Sequence, residues 1–458
     1  MRDIPAVRWT ALLLLALAMF CSYIFMDILS PIKDLMQSTR GWDSTAFGTM
    51  QGAETFLNVF IFFLIFAGII LDKMGVRFTA VLSGAVMLVG AFIKYYAVTD
   101  SFIGSGLETW FTENLNYIPG FDELGISPFY RGMPASAKVA AIGFMIFGCG
   151  VEMAGITVSR GIVKWFKGKE MALAMGSEMA LARLGVATCM IFSPFFAKLG
   201  GTVDVSRAVA FGLVLLMIAL IMFIVYFFMD KKLDSQTGEA EEKDDPFKIS
   251  DVGAILKSGG FWLVALLCVL YYSAIFPFQR YATNFLEVTL QIPASEAADL
   301  FRWFPILAMV LTPFLGAFLD NRGKGATMLM LGAIIMIVCH LSFAFLLPLF
   351  PQKWFALLLV VVLGVSFSLV PAALWPSVPK IIDPVILGSA YSLIFWIQNI
   401  GLCLVPLLIG VVLEATGGYV VPMCIFSSFG VLAFVMSFFL KIEDKKKGYG
   451  LELPNIKK

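Results

Sequence analysis

Two charges lie inside apolar segments of this chain, at positions where a helix that spans lipid least tolerates them. The stretch GCGVEMAGITVSRGIVKWFKGKEMALAMGSEMALARLG runs from Gly148 to Gly185. Its centre is a basic, aromatic hinge, Lys164-Trp-Phe-Lys-Gly-Lys-Glu170, and the apolar segments on either side contain Glu152 and Arg183. At the helical rise, Glu152 lies ~18 Å before Lys164 and Arg183 ~20 Å after Glu170. If both segments cross a hydrocarbon core of about 30 Å, the two charges share one depth, beyond its middle. A charge there costs roughly 2.5–3.5 kcal/mol, so it needs a partner or a polar cavity. A carboxylate can hold an ammonium and a guanidinium can hold a carboxylate. Glu152 and Arg183 can therefore take the two ends of a zwitterion in place of each other. The alternative is an ion pair that only pins two helices. Glu152 is also a candidate proton carrier, since desolvation and Arg183 pull its affinity for a proton in opposite directions.

The elements that must position these groups follow from composition. Of 458 residues, 60% are hydrophobic and 14% charged, against roughly 25% charged in soluble domains. Mean hydropathy is +0.89, and apolar runs of about twenty residues recur, each long enough to span a bilayer. An all-α membrane protein is expected. Spans are predicted near 9–30, 46–71, 78–99, 138–160, 171–197 and 207–229, then near 259–282, 299–319, 326–348, 354–378, 386–413 and 420–440. The twelve transmembrane helices fall into two halves of six, 1–229 and 259–441, expected to be two pseudo-symmetric six-helix bundles on the resemblance given below. A cytoplasmic linker, 230–258, joins the bundles, and a cytoplasmic tail, 442–458, follows. With a net charge of +1, nothing points to nucleic acid. Seven single cysteines in apolar runs read as free core thiols, and one histidine argues against a metal centre. No nucleophile–base constellation marks an enzyme, and no cofactor is expected.

Placing both termini and the linker in the cytoplasm puts 22 Lys and Arg inside and 7 outside, with 4 within spans. The positive-inside rule supports that orientation. The longest outward loop, 100–137, is rich in aromatics and prolines and is expected to hold a small ordered cap with an interfacial helix. A motif recurs across the halves. After span two the chain reads Gly68-Ile-Ile-Leu-Asp72-Lys73-Met-Gly75-Val-Arg77, and after span eight Gly316-Ala-Phe-Leu-Asp320-Asn-Arg322-Gly323-Lys-Gly325. The first glycine of each copy is expected to admit a neighbouring helix. The aspartate and the bases are expected to latch an inner gate. Two copies in corresponding places resemble the cytoplasmic loop signature of the major facilitator superfamily. That resemblance implies two six-helix bundles around a midplane substrate site, moving by alternating access.

Other polar residues sort by depth. Asp27, Glu54, Lys94, Arg280 and Arg302 fall ~26–31 Å up their spans, where they are expected to snorkel. The sharper reading is an outer gate in which Asp27 or Glu54 pairs with Arg280 or Arg302. Glu178 lies ~12 Å above Glu170 and off the face of Arg183, and ranks below Glu152. His340 is expected to be a hydrogen-bonded structural residue. Tyr23, Tyr271, Tyr272, Gln398 and Asn399 are polar groups at mid-depth, on helices that line the cavity in such a fold. Trp375, near the inner end of span ten, reads equally as a cavity residue or an interfacial anchor.

A closer resemblance rests on several stretches: Ser22-Tyr23 followed by Asp27; Trp165-Phe-Lys-Gly-Lys-Glu170; and Met179-Ala-Leu-Ala-Arg183-Leu-Gly185. In the second half they are His340-Leu-Ser-Phe-Ala-Phe345, Ala373-Leu-Trp375-Pro376-Ser-Val378, Gly388-Ser-Ala-Tyr391 and Ile397-Gln398-Asn399-Ile-Gly401-Leu402. In order and spacing these resemble the lysosomal dipeptide transporters and their bacterial relatives. The resemblance implies that Glu152 and Arg183 hold a zwitterionic dipeptide. The substrate-binding set is then Glu152, Arg183, Tyr23, Tyr272, Gln398, Asn399 and Trp375. The partners expected are a small-molecule substrate, a proton as an open second passenger, and the lipid bilayer around a monomer. Short termini, outward loops without Asn-x-Ser/Thr, and frequent Met and Phe suggest a bacterial inner membrane. Two other classes remain: a proton-coupled transporter of small organic anions or sugar acids, and a non-transporting membrane sensor.

Overall fold

The computed structural model describes residues 3–115, 129–166, 171–237, 249–383 and 386–454. Among these, eleven helices are long and apolar enough to cross a membrane, or twelve if one bent pair counts as a single span. The chain divides into two compact units. One is Met1–Lys243 with Pro406–Ala415, the other Asp244–Val405 with Thr416–Lys458.

The first unit opens with α1 (Pro5–Met26), a buried turn at Ser30–Ile32 and α2 (Lys33–Arg40). Then come α3 (Ser44–Gly52), α4 (Phe56–Phe60), α5 (Phe63–Val98) and the loop helix α6 (Gly106–Asn114). The long helices α7 (Ala135–Phe166), α8 (Met171–Ala197) and α9 (Val205–Thr237) complete it. Helix α6 is an ordered piece of the 100–137 loop, with the Ser105 side chain capping its N-terminus by accepting from Glu108 N. Helix α9 runs past the expected end of span six into what was read as linker.

One expectation is corrected here. Span two was read as continuous over 46–71, but the chain breaks at Ile61–Phe62, bending 65° between Ser44–Phe60 and Phe63–Leu71. Phe62 sits at φ 54°, the left-handed region that a bulky residue rarely adopts. No Gly or Pro marks the break, so an unbroken apolar pattern concealed it. By contrast the turn expected after span two falls on Gly75, at φ 77° and ψ 167° inside α5.

The second unit holds α10 (Ile249–Leu256), α11 (Gly259–Leu290), α12 (Ala294–Phe301) and α13 (Trp303–Arg322). These are followed by α14 (Gly325–Leu341), which passes through a π-turn at Ser342–Leu346 into α15 (Leu347–Leu349). Next come α16 (Lys353–Ile381), α17 (Leu387–Thr416), whose Pro406–Ala415 stretch counts with the first unit, and α18 (Val420–Lys447). His340 lies in an aromatic core, 5.2 Å from the Phe278 ring and 5.4 Å from that of Phe426, with Nδ1 2.9 Å from Met336 O. The carbonyl is only an acceptor, so Nδ1 donates. A structural histidine was expected, and this is one.

After Gly448 the chain turns back onto its own unit. Lys324 N donates to Glu452 O (3.1 Å) and Gly325 N to Leu451 O (2.9 Å). Thr327 N and Oγ1 both donate to the Glu452 carboxylate at 2.8 Å. Lys380 Nζ donates to Gly450 O at 3.0 Å, and Leu451 is 2% exposed. Helix α14 starts from Lys324 at φ 68° with no side-chain cap of its own. The carboxylate of Glu452 does that work, an anion on the positive end of a helix. Burial, and then the charges of Glu443 and Asp444, raise the pKa of the adjacent Tyr449 phenol. It stays protonated at any physiological pH.

Candidate functional site

In the first unit, close helix packing sets where the charges lie. Gly148 has no room for a side chain: a Cβ would fall 1.8 Å from the carbonyl oxygen of Glu54. Gly185 presses on α1 in the same way, with Phe20 O 2.5 Å and the Tyr23 Cβ 3.2 Å from a built Cβ. The first contact fixes α7, and Glu152 one turn on, against the segment that carries Glu54. The second fixes α8, with Arg183 just before the contact, against Tyr23. The result is one electrostatic neighbourhood. The charges of Glu178, Glu152, Glu54 and Arg183 all act on the Tyr23 hydroxyl. Tyr23, Glu152, Glu178 and Arg183 are half-buried, so they remain within reach of a ligand. Three of the candidate residues, Tyr23, Glu152 and Arg183, are thereby brought together. Glu178, which depth and helical face had ranked lower, is the first among the charges acting on Tyr23.

Snorkelling is corrected for most of the outer charges. Asp27 is 2% exposed, Glu54 5%, Lys94 0% and Arg280 6%. The Lys94 ammonium lies 3.6 Å from the centre of the Phe144 ring, a cation–π contact. The short helices α2, α3 and α12 pack on α9, α7 and α11, so these span ends are covered by protein. Arg302 pairs with Asp299 at 2.9 Å, one turn away on the same segment.

In the second unit the polar candidates sit among aromatic rings. Trp375 Nε1 donates to the Tyr272 hydroxyl (3.1 Å), and the indole stacks on Phe395 at 5.0 Å. Tyr272 stacks on Phe276 at 5.4 Å, and the Tyr391 hydroxyl donates to Trp375 O at 3.3 Å. Trp375 is thus a member of this cluster, with its one donor used inside the protein. Cys268 Sγ donates to Gln398 Oε1 at 3.2 Å, and Asn399 is 1% exposed. Tyr271 donates to Leu329 O and is a buried structural residue.

The repeated motif plays a different part from the one expected of its first glycine. At Gly68 and Gly316 an added Cβ meets no described atom within 4 Å, so no close helix approach requires glycine there. The later glycine is the constrained one: Gly75 and Gly323 have φ 77° and 71°, where only glycine is at ease. The side chains of Asp72 and Asp320 lie outside the described residues. Lys73 and Arg322 are exposed. Arg77 pairs with Asp234 at 3.1 Å. Lys164 reaches both Asp230 (2.6 Å) and Asp234 (2.7 Å), while Trp165 Nε1 donates to buried Asp230 at 2.9 Å. This end of the unit is therefore tied to α9 by a network in which Arg77 is the motif's contribution; its partners were not foreseen, because α9 was read as ending before these aspartates.

The comparisons with known proteins agree with this architecture. The Major Facilitator Superfamily model matches residues 15–406. The lysosomal dipeptide transporter MFSD1 of Gallus gallus is 30% identical over 310 residues, 65% of this chain and 68% of that protein. The Homo sapiens protein of the same name is 28% identical over 283 residues, 60% of this chain and 59% of that protein. The chain thus spans between about three fifths and two thirds of the length of the curated relatives it matches. Among solved structures, the nucleoside transporter NupG superposes with a TM-score of 0.67 at 14% identity, covering 96% of this chain and 99% of that one. A D-xylose–proton symporter gives 0.66 at 13% identity over 94% and 97%. At such identities the likeness is one of fold. The chain belongs to the major facilitator superfamily and is a multi-pass integral membrane transporter.

Proposed function

We propose that this transporter carries a small zwitterion, a dipeptide in the first instance, and that Glu152 takes its ammonium end and Arg183 its carboxylate. The observation that carries the reading is the shared neighbourhood of Tyr23, Glu54, Glu152, Glu178 and Arg183. Three carboxylates and one guanidinium act on that hydroxyl. Charges of both signs at one place suit a ligand that carries both. The relatives named as dipeptide transporters support the same substrate class. Glu178 adds a second carboxylate, so one acid can bind the ammonium while the other carries a proton. Tyr272, Trp375, Gln398 and Asn399 stay candidates for contacts to the substrate, to be tested one by one. The protein reconstituted in liposomes should show counterflow of dipeptides from a defined library, with uptake that depends on pH if a proton moves too. Flux of mono-carboxylates or sugar acids without dipeptide flux would overturn the assignment in favour of the anion class. No solute-dependent flux would leave the sensor reading.

A further inference from the structure

The broken second span carries a polar group that none of the preceding argument uses. Asn58 lies on α4 in the run Thr55-Phe-Leu-Asn-Val-Phe60 and is 2% exposed. Neither its Oδ1 nor its Nδ2 finds a hydrogen-bond partner among the described residues. A buried amide with both ends unsatisfied is uncommon and calls for a reason.

Register places Asn58 at the level of Glu152. The later part of α5 runs antiparallel to α7: a Cβ on Gly143 would meet Gly90 O, and one on Gly150 would meet Met87 and Ser83. Helix α4 precedes the turn at Gly75, so it runs in the same direction as α7, on which it packs. The tight contact between Gly148 and the Glu54 backbone pins the two together. One turn further along each helix come Asn58 and Glu152. The amide thus sits at the level of the carboxylate assigned to the substrate ammonium, two residues before the exposed break at Phe60–Phe62. Discontinuous spans are where transporters of several folds form their binding sites, because the chain there can open.

We propose that Asn58 reads the first residue of a dipeptide, with Nδ2 donating to the peptide carbonyl and Oδ1 accepting from the ammonium that Glu152 also holds. An extended residue presents its N–H and C=O on one side, the donor–acceptor pair that a primary amide complements. The assignment rests on the zwitterion reading above and adds to it a reason to prefer a peptide over other zwitterions of the same span. A site built to hydrogen-bond a carbonyl rejects an analogue that lacks it, since its own buried donor is then left unpaired.

Three zwitterions of equal main-chain length separate the possibilities: glycylglycine, δ-aminolevulinate, which keeps the carbonyl without the N–H, and δ-aminovalerate, which has neither. Each would be tested as competitor of dipeptide uptake by wild type and by Asn58→Leu, alongside melting temperatures. Wild type should bind glycylglycine and δ-aminolevulinate comparably, and δ-aminovalerate about tenfold more weakly. Asn58→Leu should treat all three alike. It should melt no lower than wild type, because replacing an unsatisfied amide by an apolar group of similar shape removes a cost. If dipeptides are carried but wild type does not discriminate against δ-aminovalerate, or if Asn58→Leu discriminates as wild type does, the role of Asn58 is refuted and the zwitterion site stands. A drop in melting temperature with discrimination intact identifies a structural amide and overturns the proposal. Absence of dipeptide transport in wild type removes the zwitterion reading first and this assignment with it.

Discussion

The two ends of a zwitterion need different chemistry, and substitution can separate them. Arg183→Lys keeps the charge but loses the planar fork that grips a carboxylate at two points. It should raise the KM for dipeptides by about tenfold, given the roughly 1.5–3 kcal/mol of a hydrogen bond to a charged group. If the two residues only pair, the single changes Glu152→Gln and Arg183→Gln each strand a charge and should lower the melting temperature. The double variant should recover the melting temperature yet stay inactive in uptake. Recovery of transport together with stability would mean that the two residues only pair. At this scale the sequence was informative because a charge inside an apolar run is conspicuous, which is how Glu152 and Arg183 were found. Glu178 was ranked down by counting along one helix, whereas its influence on Tyr23 depends on how α8 meets α1. Asn58 was equally visible as a lone amide among Phe, Leu and Val, but without its missing partners it had nothing to distinguish it.

Helices were legible where hydropathy alone decides them, and less so where the backbone leaves its ideal path. The break at Phe62 has no Gly or Pro to signal it, and the covering of Asp27, Glu54, Lys94 and Arg280 depends on short helices that apolar runs do not reveal. The cap on α14 is a third case, since its carboxylate comes from a distant segment. Glu452→Ala should destabilise by about 1 kcal/mol, the usual worth of a helix cap, and lower the melting temperature accordingly. A cysteine placed at Lys324 should label faster in that variant. Equal labelling rates and equal melting would show that the turn back after Gly448 contributes nothing to the loop it contacts.

For the whole molecule, span count and class were readable from length, hydropathy and the repeated motif. Glycine and aspartate spacing was enough to suggest the superfamily to which the family comparison assigns the chain. Orientation stays a proposal that rests on the distribution of basic residues. Cysteines introduced at Asn114 and at Lys446 should be modified from opposite sides of intact cells or oriented vesicles, Asn114 from outside and Lys446 from inside. The seven native thiols, six of them buried, leave a low background for that measurement. The reverse pattern would invert the topology. The sequence could not reveal the Asp230 network or the fold-back onto Gly323, because both join segments far apart in the chain.

That fold-back has a consequence in time. The carboxylate that completes the start of α14 lies 125 residues after the amide it binds. While the chain is being synthesised, α14, α16, α17 and α18 must all enter the membrane before Glu452 exists. The clasp therefore closes last, once every helix it joins is in place. A chain halted at Lys447 would own each of the spans and still lack it. Pulse-chase proteolysis of such a truncated chain should find the Arg322–Gly325 loop open to cleavage long after the full-length chain has become resistant.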